Sequence, residues 1–185
     1  MLLKAEGFSQ VQDRNTRYAT GLVGDGYQWR AIVETDRQAV EEIVRANIAG
    51  SSNWVMPQNA GGIACLNSSQ EIVAVAVIEA FGIQNKETSF SRPDTYVQVS
   101  QLAVIPTERG KGIGQVTLNM VEQLLENENY KWVSISGGCE PSAAKFYAQS
   151  GFNVLAPGEP LPWHRLQTDV MNSNPHYSAT FYKTR

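Results

Sequence analysis

The sequence predicts a mixed α/β domain whose sheet is partly antiparallel and then crosses over through helices. Three observations predict it. Apolar runs of strand length recur along the chain, the longest at residues 72–78. Two stretches, one behind Thr35 and one over 113–127, space their apolar residues as one face of a helix. A short polar loop joins two early strands, whereas helical stretches separate the later ones.

Taken in order, residues 1–27 are polar and carry Gly21, Gly24 and Gly26, with a turn signal over 23–27. They read as an N-terminal extension with one hairpin, and residues 28–185 as the domain proper. Residues 28–34 read as a strand. Thr35-x-x-Gln38 is a capping-box pattern opening a helix with Ala39, Val40, Ile43 and Val44 on one face, and 50–53 end it. Strands at 63–66 and 72–80 flank the loop Asn67-Ser68-Ser69-Gln70. A polar loop over 83–95 leads to a long strand at 96–105, stopped by Pro106. The helix over 113–127 carries Ile113, Val116, Met120, Val121, Leu124 and Leu125. A strand at 131–136 follows, then a short helix over 141–150 with Pro141 in its first turn and Gly151 as its stop. Strands at 152–155 and 177–183 close the chain around a proline-rich loop at 156–175.

The chain has 185 residues, enough for one core, with 42% hydrophobic and 18% charged residues. Net charge is −3 and the pI is about 5.4, which disfavours nucleic acid as a partner. Cys65 and Cys139 form no C-x-x-C pair, so they read as free thiols of a reducing cytoplasm, with no metal site. The start shows no signal-peptide pattern, and no stretch approaches the roughly 20 apolar residues that span a bilayer.

The segment with the clearest chemistry is Arg109-Gly110-Lys111-Gly112-Ile113-Gly114, between the long strand and a helix. The first turn of a helix has unpaired N–H groups and a positive dipole end. Glycines let a phosphate approach those groups, and Arg109 and Lys111 add charge. The physics points to a di- or polyphosphate site. The segment lacks the Walker A pattern, and Gly110-x-Gly112-x-Gly114 has the wrong spacing for a dinucleotide fingerprint. A glycine-rich reversal of the chain is the alternative reading of the loop by itself.

The run from Gln101 through Pro106 to Gly114 resembles the acyl-CoA motif of the GNAT superfamily of N-acetyltransferases, Arg/Gln-x-x-Gly-x-Gly/Ala after a strand, with Arg109, Gly112 and Gly114 in place. Downstream, Ala143, Phe146, Tyr147, Gly151 and Phe152 match that family's Ala-x-x-Phe-Tyr-x-x-x-Gly-Phe ending. The resemblance implies a sheet of about seven strands flanked by about four helices, splayed between the fourth and fifth strands, here 96–105 and 131–136. It implies acetyl-CoA as co-substrate and no metal. Backbone groups at Leu102, Ala103 and Val104 would meet the pantetheine and the thioester carbonyl. Residues Arg109, Gly110, Lys111, Gly112, Ile113 and Gly114 would hold the pyrophosphate. Ala143 and Phe146 would lie on the co-substrate side of the short helix, and Tyr147 would protonate the leaving thiolate. Glu140 stands where the family often has Asn, and its carboxylate is expected to cap the helix before Pro141 instead.

The general base is less marked. The long strand carries no carboxylate; Gln98 and Ser100 could position a water, and Glu79 on the neighbouring strand is the candidate base, with a solvated strand-end charge as the other reading. His164 and His176 flank the late loop and titrate near neutrality. Cys139 reads as structural. Trp54, Trp163 and His164 either line an acceptor pocket or anchor loops on the core. The function expected is acetyl transfer from acetyl-CoA to an amine of a small molecule or peptide in a ternary complex. The alternatives are a non-catalytic acyl-CoA sensor or assembly module, and an aminoacyl-tRNA-acetylating toxin, which the acidic balance disfavours. A cytoplasmic protein, no membrane partner and a homodimer complete the expectations.

Overall fold

The structure is a computed structural model that describes residues 2–3, 13–82, 95–128, 132–157, 159 and 179–185. The chain divides into two compact units, residues 1–78 with 101–128 and residues 79–100 with 129–185.

The first unit holds β1 (Leu2–Leu3), α1 (Asp13–Gly24), β2 (Gln28–Ala31), α2 (Arg37–Asn47), β3 (Gly61–Leu66) and α3 (Ile113–Asn127). It also takes most of β4 (Ile72–Gly82) and the end of β5 (Thr95–Val104). Strands β1 to β4 pair in sequence order and antiparallel, with Leu3 opposite Trp29, Arg30 opposite Ala64 and Cys65 opposite Ala74. Glycine is required in β3: a Cβ on Gly62 would sit 2.0 Å from the carbonyl oxygen of Ala76. The core gathers Val40 and Val44 of α2 with Met56, Val75, Val77 and Ala103, and Trp54 packs against it half-buried. Val40 and Val44 are wholly buried, and each such side chain contributes about 1.5–3 kcal/mol of transfer free energy. Helix α3 buries Ile113, Val116, Leu118, Met120, Val121 and Leu125, together with Thr117 and Asn119. Thr117 Oγ1 accepts a 3.0 Å bond from the indole N–H of the fully buried Trp29.

The second unit holds the first part of β5, then β6 (Trp132–Cys139), α4 (Ala144–Gln149), β7 (Asn153–Leu155) and β8 (Ala179–Thr184). β6 and β8 pair antiparallel, as do β8 and β7. β5 and β6 are parallel, from Thr95 opposite Trp132 to Gln98 opposite Ser136. Their paired register ends there, although both strands run on. The fold is the mixed α/β sheet that the sequence predicts, with four α-helices and eight strands among the described residues.

Local expectations fare unevenly. The helix over 113–127 appears with those bounds, and Gly151 stops α4 at φ +88°. The hairpin expected within residues 1–27 is corrected: residues 13–24 form α1. The turn signal marks that helix's end, where Gly26 at φ +89° lets Asp25, Gly26 and Tyr27 donate to the carbonyls of Gly21, Val23 and Leu22. The Thr35–Gln38 capping box does not form. Gln38 bonds to Glu42, and Asp36 accepts from Val33 N–H while a salt bridge to Arg30 holds its carboxylate. A carboxylate already paired with a guanidinium and a backbone amide is the stronger fastening. The strand expected at 28–34 ends at Ala31, because a 3₁₀ turn over Glu34–Asp36 takes the chain into α2. β3 and β6 outrun the strands expected at 63–66 and 131–136, because each extends through a glycine pair that hides strand periodicity. The short helix over 141–150 opens as a 3₁₀ turn, Pro141–Ala143.

Candidate active site

In the first unit, β5 ends at Val104, and Pro106–Glu108 make one 3₁₀ turn. Pro106 is a natural start, since its missing N–H lies where no helical donor is needed. Arg109 N–H donates to Pro106 O, and Gly110 then turns the chain at φ +80°. Gly112 is the N-cap of α3 at φ +85°, ψ −2°, and no side chain caps the helix. The backbone N–H groups of residues 110–114 donate to no acceptor among the described residues, and Gly110 has open space where a Cβ would stand. Donors left unpaired at the start of a 15-residue helix make a cradle for an anion.

Both cations of this loop are already engaged. Arg109 Nε donates to Val104 O and its Nη2 to Asn47 Oδ1, each at 3.0 Å. Asn47 itself donates back to Ile43 O of α2, so Arg109 ties the loop to the ends of β5 and α2. Lys111 Nζ donates to Glu108 Oε2 at 2.8 Å and to Tyr27 Oη at 3.1 Å, while the Tyr27 hydroxyl donates to Glu108. The ammonium of Lys111, then the hydroxyl of Tyr27, hold the Glu108 carboxyl below the usual range. Glu108 in turn raises the Lys111 ammonium and the Tyr27 phenol.

In the second unit, Tyr147 lies on α4, buried, with its ring stacked on Phe181 at 3.7 Å between centroids and 9° between planes. Phe146 and Phe152 meet it edge-on. Phe181 is fully buried and can lie there because position 137 is glycine: a Cβ would stand 2.4 Å from its ring and 2.8 Å from Val99 O. Burial pushes the Tyr147 phenol well above its ordinary value, and Cys139 adds to the rise. Its hydroxyl finds no hydrogen-bond partner among the described residues.

Ala103 is buried in the core cluster, and Leu102 and Val104 flank it half-buried on β5, so three backbone units of one strand lead straight into the loop. Ala143 and Phe146 are half-buried at the start of α4. The capping expected of Glu140 is corrected. Its side chain is exposed and makes no cap bond, and its backbone carbonyl takes the N–H of Ala143 instead. A 3₁₀ turn closes through that carbonyl and needs no carboxylate. Glu79 is half-buried on β4, and Gln98 and Ser100 are half-buried on β5. Trp163, His164 and His176 lie outside the described residues, as does most of the proline-rich loop.

Sequence reasoning missed Tyr27, Glu108, Asn47, Gly137 and Phe181. Glu108 lies three residues before Lys111, an ion-pair spacing that could have been noticed. Tyr27 and Phe181 find their partners across the fold, and no local pattern signals them. Both thiols are favoured in the protonated form: burial pushes Cys65 up to about 12 and raises Cys139 too. Neither is in a disulfide. Among the described residues, no His/Cys/Asp/Glu group could hold a metal, and no helix is long and apolar enough to cross a membrane.

The family model of the acetyltransferase (GNAT) domain matches residues 59–154. No curated protein matches the sequence significantly. Among solved structures, Arabidopsis thaliana NAA60 in complex with acetyl-CoA is similar at a TM-score of 0.60 and 16% identity, over 86% of this chain and 99% of that one. Arabidopsis thaliana Naa50 in complex with the bisubstrate analogue CoA-Ac-MVNAL gives 0.59 and 14%, over 86% and 99%. A putative N-acetyltransferase from Lactobacillus plantarum gives 0.59 and 11%, over 86% and 98%. These likenesses establish the fold.

Proposed function

Because this chain belongs to the acetyltransferase (GNAT) domain family, we propose that it transfers an acetyl group from acetyl-CoA to an amine of a small molecule or peptide. The observation that carries the reading is the set of unpaired backbone N–H groups over residues 110–114, at the start of α3 and directly after β5. They suit a pyrophosphate, and the backbone of Leu102, Ala103 and Val104 would align the rest of the coenzyme. Acetyl-CoA supplies an activated thioester; a C–N bond forms to the acceptor as the C–S bond breaks.

Tyr147 assists at the sulfur. A free thiol titrates at about 8.5 and an ordinary phenol at about 10, so full proton transfer from Tyr147 is uphill. Burial makes it more so. Tyr147 therefore acts chiefly as a hydrogen-bond donor to the developing thiolate, and it stays protonated at neutral pH. Glu79 is the carboxylate proposed to take the amine's proton, with Gln98 and Ser100 placing a water. Ala143, Phe146 and Glu140, at the start of α4, are proposed to meet the co-substrate. A cytoplasmic setting suits the two free, buried thiols.

The test is mass spectrometry of a panel of small amines and peptide N-termini incubated with acetyl-CoA and the protein, with free CoA measured in parallel. Acetylated product with an equal amount of CoA supports the reading. CoA binding with no product on any amine favours the non-catalytic sensor, and no CoA binding at all overturns both.

A further inference from the structure

We propose that Tyr27 and Glu108 are positioning residues for the co-substrate loop, forming a latch on Lys111 that holds residues 108–112 in their binding conformation. The inference rests on the reading of that loop as the coenzyme site. Its substance is a closed triangle. The Tyr27 hydroxyl donates to Glu108 and accepts from Lys111, and Lys111 donates to both.

Three features separate this triangle from a chance surface ion pair. It joins residues 81 and 84 positions apart, and Tyr27 lies outside the segment matched by the family model. Tyr27 is buried, its N–H closes the end of α1 on Leu22 O, and a Cβ added at Gly26 beside it would stand only 3.0 Å from Ser68 Cβ. The side chains it links bracket Gly110, at φ +80°, so the latch spans the reversal of the chain there. Glycine at 110 and 112 allows that conformation and many others; a fastening from outside the loop selects one. The latch also cancels charge, leaving the anion to the backbone donors.

The prediction concerns co-substrate affinity with the chemical step intact. Tyr27→Phe keeps the ring and removes the hydroxyl. It should raise the Kd for CoA, measured by calorimetry, and the KM for acetyl-CoA by roughly 2- to 10-fold, the cost of ordering one or two side chains on binding. The kcat at saturating acetyl-CoA should stay within about twofold. Glu108→Gln, on a partly exposed side chain, should weaken CoA in the same way and serves if the first variant does not fold. An unchanged Kd in a folded variant overturns the latch. So does tighter CoA binding by Glu108→Gln, which would make Glu108 a competitor for Lys111. If the unaltered protein does not bind CoA, the coenzyme reading itself fails, a separate outcome.

Discussion

In the first unit, the candidate loop is fastened by charge and hydrogen bonds: Arg109 to Val104 and Asn47, Lys111 to Glu108 and Tyr27. In the second, Tyr147 is fastened by ring faces and edges, with Phe181 beneath it and Phe146 and Phe152 beside it. The difference follows from what each part has to do. A loop that takes an anion needs its backbone donors bare, so its side chains must be held elsewhere by directional bonds. A dry, apolar seat of stacked rings raises a phenol further above its ordinary value without competing for its proton.

The comparison can be broken at four points. The largest effect is expected from Gly137→Ala, whose new Cβ would meet the Phe181 ring at 2.4 Å. Displacing that ring should cost up to about 3 kcal/mol of stability, visible as a lowered Tm, and should reduce kcat through Tyr147. Next comes Tyr147→Phe, which keeps the stack and removes the donor. It should lower kcat about 100-fold with little change in Tm or in the KM for acetyl-CoA. Since burial raises the Tyr147 phenol, the unaltered enzyme should show no loss of kcat from its ionisation below about pH 10.

Gly112→Ala attacks the other region. At φ +85° an alanine costs about 1–2 kcal/mol, and it crowds the bare donors, so acetyl-CoA affinity should fall roughly 10-fold while kcat changes less. The smallest effect sharpens the polar side. Arg30 holds the Asp36 carboxyl below its ordinary value, so the folded pKa lies under the unfolded one. The pair's stabilisation is then present above about pH 4 and is lost as pH falls through the folded pKa. Asp36→Asn should lower Tm at neutral pH and flatten the acid limb of a Tm-against-pH curve, whereas Phe181→Leu should lower the whole curve without changing its slope.

What the chain discloses before folding tracks how local each feature is. Helix α3 and the glycines of its N-terminal loop are legible because their signals, helical spacing and Gly110-x-Gly112, lie within a few residues. Helix α1 is not, since Asp13–Gly24 is polar and carries two glycines that read as turn residues. Gly61-Gly62 and Gly137-Gly138 conceal strand ends because glycine carries no side chain to alternate. In each unit the residue singled out from sequence, Lys111 in one and Tyr147 in the other, is legible, but not what holds it. Tyr27 reaches Glu108 across 81 positions, and Phe181 stacks on Tyr147 from the last strand. Such partners are specified by topology, not by spacing.

On the proposed function, backbone donors over residues 110–114 hold the coenzyme. This is tested most directly by following the backbone amide signals of the ¹⁵N-labelled protein while CoA is added. Saturable shifts should be largest at Gly110, Lys111, Gly112, Ile113 and Gly114, with a common Kd. Saturable binding that leaves those five amides unmoved would contradict it.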